Sequence, residues 1–274
     1  MKKVLPALVQ YIVLFTFAGI AIGPIIVMWM ASIKTSAEIF NDPFSLPSII
    51  RFDNLLKAWS VGRFGQYLGN TLIVTIPTVF FVVAFACMAG YAFGRLKFFG
   101  SRFFFYLFLL GLMVPFQSIM IPLYYRLRDF GLLGGYFAMI LPAIALGLPF
   151  GIFLMRSFFF SLPVELADAA RVDGCNEFGV FFRIMLPLAG PAVSTLLVFQ
   201  FMWTWNAFLM PLLFLNRESL RPVALGLMFF SGRYTTNYGM VAAGVTIVTL
   251  PLIIVYLVFQ RQFMRGLTAG ALKG

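Results

Sequence analysis

Histidine is absent from this chain, and with it go the commonest general base and the commonest transition-metal ligand. Acidic residues number only 9, and charged residues of both signs fill 11% of the 274 positions. A soluble domain carries about 25%. The two cysteines, Cys87 and Cys175, offer neither metal spacing nor a disulfide framework. No Gly-x-x-x-x-Gly-Lys-Ser/Thr stretch occurs, so the chain has no loop of its own to cradle nucleotide phosphates. A globule in water has to cover itself with polar groups, and here there are too few. These shortages exclude a disordered chain, a secreted disulfide scaffold and an ordinary soluble enzyme.

What the chain has is apolar surface: 62% of its residues are hydrophobic and 18% aromatic. That composition describes a multi-span membrane protein, in which lipid replaces the polar coat. The net charge of +11 comes from 20 Lys and Arg scattered between apolar runs. It forms no basic stripe, so the expected partner is membrane lipid and not nucleic acid.

Crossing the hydrocarbon core takes about 20 mostly apolar residues in a helix. Six stretches qualify: Leu8–Ala31, Thr71–Phe93, Phe103–Tyr125, Phe137–Met155, Ala189–Leu213 and Met240–Phe259. The first is too long for a signal peptide and has no convincing small-residue cleavage site, so a retained span is expected. An even number of spans puts both termini on one side. The N-terminus, the Arg95–Arg102 loop and the C-terminal tail hold eight basic residues and no acid. Basic residues in short loops collect on the cytoplasmic side, which places both termini there. Lys34–Gly69, Arg126–Gly135 and Asn216–Gly239 are then external, and Arg156–Leu188 is the one large internal loop.

None of the six stretches contains Asp, Glu, Lys or Arg. Carriers driven by protons or ions place ionisable groups at membrane depth. Energy must therefore be supplied from outside this chain, or the protein is passive. Neutral polar residues do occur in the spans. Gln117 lies on the third, and Gln200, Trp203 and Asn206 cluster with Trp205 on the fifth. Two readings stand for them: hydrogen bonding between helices, or a path for a neutral hydroxyl-rich solute, with amides meeting hydroxyls and an indole stacking on a pyranose. The pairs Gly19/Gly23, Gly90/Gly94 and Gly147/Gly151 predict close helix packing. Pro77, Pro115, Pro122, Pro142, Pro149 and Pro251 lie in or near spans, where each removes a backbone hydrogen bond.

The internal loop has a different chemistry. Pro163 suits a first helical turn. Leu166, Ala169 and Ala170 at i, i+3 and i+4 predict a small apolar face. Asp173-Gly174 stops the helix, glycine taking the left-handed C-cap conformation. Asn176 caps a second short helix running through Arg183 to Pro187. A helix–turn–helix with small side chains at its tip fits a cleft on a partner.

The pattern Asp168-Ala169-Ala170-x-x-x-Gly174, followed after nine residues by Ile184-x-Leu186-Pro187, resembles the "EAA" loop of bacterial ATP-binding-cassette (ABC) importer permeases. Asp168 stands where the family more often has glutamate, one methylene longer. Asn70-Thr-Leu-Ile-Val, Gly90-Tyr-Ala-Phe-Gly-Arg-Leu-Lys-Phe, Pro149-Phe-Gly-Ile-Phe-Leu, Trp205-Asn-Ala-Phe-Leu-Met-Pro-Leu and the C-terminal Gln260–Gly274 are similar to the maltose-type carbohydrate permeases, specifically the smaller partner of the permease pair. The resemblance implies an all-α polytopic membrane protein with six transmembrane helices, a type I ABC importer permease fold, and a cytoplasmic coupling helix between spans 4 and 5. It implies residues 1–65 as a first span and external loop, 66–260 as the transmembrane domain and 261–274 as a cytoplasmic tail, in a bacterial or archaeal cell membrane (the inner membrane of a Gram-negative cell).

The implied partners are a second permease subunit, a homodimeric ATP-binding subunit and an extracytoplasmic solute-binding protein. ATP and Mg would belong to the ATPase, leaving this chain with no cofactor, metal or catalytic residue. In the family the loop helix docks in a groove of the ATPase. Carried over, Asp168 would pair with a basic group there, Ala169 and Ala170 would pack in the groove, and Gly174 would make the turn, with Glu165, Ile184 and Pro187 completing the coupling set. Residues 266–274 would give a second contact. Gln117, Gln200, Trp203 and Asn206 are the candidates for the substrate path. A stand-alone channel or facilitator for small polyols is the competing expectation. An enzyme acting on lipid would need clustered ionisable or nucleophilic groups near the interface, and the sequence has none.

Overall fold

The computed structural model describes residues 4–230 and 237–271, and among these it is helical with no strand. Lys2, Lys3, Lys273 and part of the expected external loop 216–239 lie outside the described residues, as do the last three residues of the tail. In chain order the main helices are α1 (Val4–Ser32), α2 (Ser36–Asn41), α3 (Asp53–Ser60), α4 (Phe64–Arg95), α5 (Ser101–Leu110), α6 (Phe116–Asp129), α7 (Phe137–Ser161) and α8 (Glu165–Val172). After a short helical segment at 177–188 come α9 (Gly190–Trp205), α10 (Leu209–Phe214) and α11 (Tyr238–Ala271). Four helices, α1, α4, α7 and α11, are each long and apolar enough to cross a membrane; counting each of two bent pairs as one span gives six.

The bent pairs change two expected spans. The stretch 103–125 is not one straight helix: α5 ends in a 3₁₀ turn at Gly111–Met113, and α6 departs at 99°. Pro115 causes the break. It has no N–H to donate, and it forces Val114 out of the helical region, to ψ 107°. The fifth span is also shorter than 189–213, because α9 stops at Trp205. A continuous helix would drive the Pro211 ring into the carbonyl of Ala207, four residues back. The chain instead caps at Asn206, whose Nδ2 donates to the Met202 carbonyl at 2.9 Å, and restarts as α10.

Residues fall into two compact units. One comprises residues 1–68 and 225–251, the other 69–224 and 252–274. In the first, Thr35 and Glu38 form a reciprocal capping box at the start of α2. Ser48 also donates to Glu38 through both N–H and hydroxyl, and these donors hold the Glu38 carboxyl down at about 2. Lys34 is fully buried beside this box, its Nζ donating to the carbonyls of Asp42 and Pro43 and to the Ser45 hydroxyl. A cation inside protein needs such oxygens, since burying it unpaired would cost several kcal/mol.

The second unit is held together by glycines. A Cβ on Gly90 of α4 would lie 2.6 Å from Met155 Cβ and 2.8 Å from the Arg156 nitrogen on α7. One on Gly151 of α7 would lie 2.8 Å from Ala86 Cβ, and one on Gly147 would lie 2.5 Å from Gln200 Oε1 of α9. Without side chains at these points the backbones of α4, α7 and α9 approach directly, which suits an environment with no hydrophobic drive between helices. Gly19 and Gly23 behave differently from the expected packing pair. Nothing lies within 4 Å of a Cβ on either.

These contacts set an expectation for stability. Gly90→Ala should lower the thermal stability of the detergent-purified chain by ~1–3 kcal/mol, the range for overpacking. Gly19→Ala should leave it unchanged. A melting curve followed by the four tryptophans reads both.

Candidate functional site

The segment between α7 and α9 is built as a compact hairpin. Helix α8 ends in a Schellman turn: the Cys175 N–H donates to the Ala170 carbonyl at 2.9 Å, and Gly174 N–H to that of Arg171 at 3.0 Å. Gly174 sits at φ +83°, a region that favours glycine. Asn176 then accepts from Gly179 N–H at 2.9 Å and starts the next helical segment. From Val180 to Met185 that segment is π-helical, and beyond Ala189 the chain turns by 74° into α9. Pro163 lies two residues before α8, outside its first turn.

The predicted apolar face of α8 is divided in the structure, with Ala170 turned into the chain together with Ala167. Ala167 and Ala170 are buried against a core that includes Tyr91, Phe159, Val180 and Phe181. Ala169 and Leu166 point outward. The repeat predicted a helix correctly, but two inward alanines suffice where α8 lies so close to the bundle. The free face therefore presents Glu165, Leu166, Asp168, Ala169 and, at 87% exposure, Val172. Gly174 is at the exposed tip and Pro187 is exposed, while Ile184 is half-buried and packs on the core.

Asp168 already has a partner. Its Oδ1 accepts from Arg171 Nη1 at 2.6 Å, and the same guanidinium reaches across the turn to Glu177, Nε to Oε1 at 2.8 Å. Tyr91 of α4 donates its hydroxyl to Glu177 Oε2 at 3.0 Å. The bond to Glu177, with that to Asp168, raises the Arg171 pKa above its ordinary value, and the Arg171 guanidinium holds the Glu177 carboxyl below its own. Arg171, Glu177 and Tyr91 are not among the coupling residues that the resemblance implies. An i,i+3 acid–base spacing between Asp168 and Arg171 was the available signal. Two further arginines fix the root of the hairpin: Arg95 donates to the Leu162 carbonyl, and Arg156 Nε to that of Phe93 at 3.2 Å.

A second feature lies deeper, between α4, α7 and α9. It is a cavity of about 240 Å³ whose lining includes Gln200, Trp203, Thr204 and Gly147. Gln200 is 3% exposed; its Nε2 donates to Thr204 at 3.2 Å, and its Oε1 has no hydrogen-bond partner among the described residues. Of the four path candidates, the structure brings together Gln200 and Trp203. Gln117 is exposed on α6 and does not line the cavity, and the Asn206 amide is bonded to the end of α9. Thr204 was visible one turn from Gln200, and Gly147 was legible as a packing residue.

The model of the binding-protein-dependent transport system inner membrane component family matches residues 84–268. The chain belongs to this family. The permease is 37% identical to the arabinooligosaccharides transport system permease protein AraQ of Halalkalibacterium halodurans, over 94% of this chain and 93% of that protein. It is 33% identical to the diacetylchitobiose uptake system permease protein NgcG of Streptomyces coelicolor, over 97% and 89%. Among solved structures it superimposes on a chain of a bacterial ABC transporter involved in the import of the acidic polysaccharide alginate. The TM-score is 0.81 at 26% identity, covering 96% of this chain and 98% of that one. The permease thus has the all-helical, six-span ABC importer permease fold and is a membrane transport component, not an enzyme. The stand-alone facilitator finds no support in these relatives.

The ionic tie of the hairpin is pH-dependent in a definite sense. Arg171 stays cationic, and a depressed carboxylate contributes stability above its ordinary value, here 4.5, that is lost as pH falls through the lower folded value. Protection of the amides at 165–177, corrected for intrinsic exchange, should fall on that acidification. Arg171→Gln should produce the same fall at neutral pH. Because the groups are exposed, the loss should not exceed about five-fold.

Proposed function

We propose that this permease and a second permease subunit together form the membrane path of an ABC importer for a sugar, oligosaccharide or sugar derivative. An extracytoplasmic solute-binding protein delivers the solute. A homodimeric ATP-binding subunit, which holds the ATP and Mg, drives the cycle. The 165–187 hairpin is the coupling element, on the cytoplasmic side with both termini. The observation that carries this reading is the outward face of α8. Leu166, Ala169 and Val172 are apolar, small or short, and uncovered in this chain, and they project from a hairpin braced on α4 and α7. Such a face outside the hydrocarbon region calls for a protein groove.

Internal pairing of Asp168 with Arg171 alters the role assigned to Asp168. A basic group on the ATPase would have to compete with Arg171 for it, so Asp168 orients α8 before docking. Ala170 supports the hairpin from inside, and Leu166 and Val172 take its place in the groove. The names of the relatives, which transport arabinooligosaccharides and diacetylchitobiose, support a carbohydrate substrate. The cavity beside Gln200 and Trp203 supports a neutral, hydroxyl-bearing one.

The full assembly in proteoliposomes tests the coupling role. Ala169→Glu should cut ATP hydrolysis stimulated by loaded binding protein at least ten-fold. Unstimulated hydrolysis by the isolated ATPase is the unaffected reference. Stimulation that survives unchanged would overturn the docking assignment. The cavity gives a second test through Gln200→Leu. Removing the buried, unpartnered carbonyl offsets the lost bond to Thr204, so stability should stay within about 1 kcal/mol of the wild type. If the amide lines the path, transport should fall at the same time.

A further inference from the structure

Where α4 ends, α5 begins and α7 passes Arg156, the structure has a groove that neither the hairpin nor the deep cavity uses. Its volume is about 830 Å³. Three cations, Lys97, Arg102 and Arg156, line it, and no acidic side chain does so among the described residues. The rest of the wall is largely aromatic, with Phe93, Phe98, Phe105 and Tyr106. Arg156 lies over the Phe105 ring at 4.0 Å and Arg102 over Tyr106 at 5.9 Å. Cations stacked on rings keep their free N–H groups available to an anion on the other side.

The position of the groove limits what can fill it. The apolar helix α4 ends at Arg95, the apolar part of α5 begins at Phe103, and α7 reaches Arg156 four residues after the buried Ile152. The groove therefore lies at the level where hydrocarbon gives way to headgroups. Phe99 at the loop tip is fully exposed between Lys97 and Arg102, an arrangement that is costly in water and favourable when rings and basic stems lie in the interface. A site that is cationic at its centre, aromatic around it and at headgroup depth matches one class of ligand.

We propose that this groove binds the headgroup of an anionic glycerophospholipid. The phosphodiester would lie between Lys97, Arg102 and Arg156, and the glycerol and upper acyl chains would lie on the rings. Basic pockets between transmembrane helices bind anionic headgroups by this chemistry. The inference rests on the membrane-spanning fold and is independent of the substrate and of the coupling role of α8. A bound lipid would brace α4 and α7 where Arg156 already joins them, just before α8.

Native mass spectrometry of the full chain in detergent tests the site, titrating phosphatidylglycerol against phosphatidylcholine with matched acyl chains. The wild type should prefer phosphatidylglycerol, and added salt should weaken that preference. The side chains of Lys97 and Arg102 are exposed and make no hydrogen bond among the described residues, so Lys97→Gln/Arg102→Gln should fold normally. The double variant should lose roughly twenty-five-fold in phosphatidylglycerol affinity, at about five-fold per cation, and lose much less for phosphatidylcholine, whose choline offsets its phosphate. Equal affinity for the two lipids, or a double variant with undiminished preference, would overturn the proposal. So would inorganic phosphate displacing the lipid at equal concentration, since the rings would then contribute nothing.

Discussion

Direct contact between helix backbones is the constraint on which the rest of the permease depends. In lipid, apolar side chains gain little by leaving one apolar environment for another, so helices associate through close packing and polar contacts. Gly90, Gly147 and Gly151 remove the side chains that would hold α4, α7 and α9 apart. Two consequences follow from one arrangement. The hairpin core at Tyr91, Phe159 and Phe181 is fixed directly beneath the Gly90 crossing. Opposite Gly147, the same approach presses the backbone of α7 against the Gln200 amide and leaves the cavity beside it.

The arginines that tie the helices of this unit together lie where the spans end. Arg95 and Arg156 tie α4 to α7 through backbone carbonyls, and Arg171 ties α8 to Glu177 and through it to Tyr91 on α4. The α8 hairpin is thereby joined to α4 and α7 by hydrogen bonds and by the buried Ala167 and Ala170.

Much of the architecture was legible in the sequence because lipid imposes a strong pattern on composition. Uninterrupted apolar runs gave the four long helices, and Gly174 and Asn176 gave the turn and its cap. The bends at Pro115 and before Pro211 were less legible. A proline within a span is compatible with a kink, a break or a tolerated gap, and the choice is made by what can satisfy the freed carbonyl. The inner face of α8 was not legible for a related reason. On a helix of eight residues made mostly of alanine and charges, periodicity alone cannot rank Ala167 above Ala169, and the burial of Ala167 is decided by α4 and α7. The Asp168–Arg171–Glu177 tie spans a turn whose geometry only the fold supplies. At the deep cavity, Gln117 and Gln200 carried the same amide, and only the break at Pro115 separated them.

The π-helical run from Val180 to Met185 carries a consequence for sequence length. A π turn holds more residues than an α turn for a similar advance along the axis. Deleting one residue there would let the run close as ordinary α turns with the flanking segments near their present phase, whereas inserting one more would rotate everything on one side of it by about 100° relative to the other. After such an insertion the Schellman turn and the direction in which α8 faces would no longer match the start of α9. The spacing between Gly174 and Pro187 is thus an angular setting as much as a distance, with the π run as the place where one residue can be taken out at least angular cost.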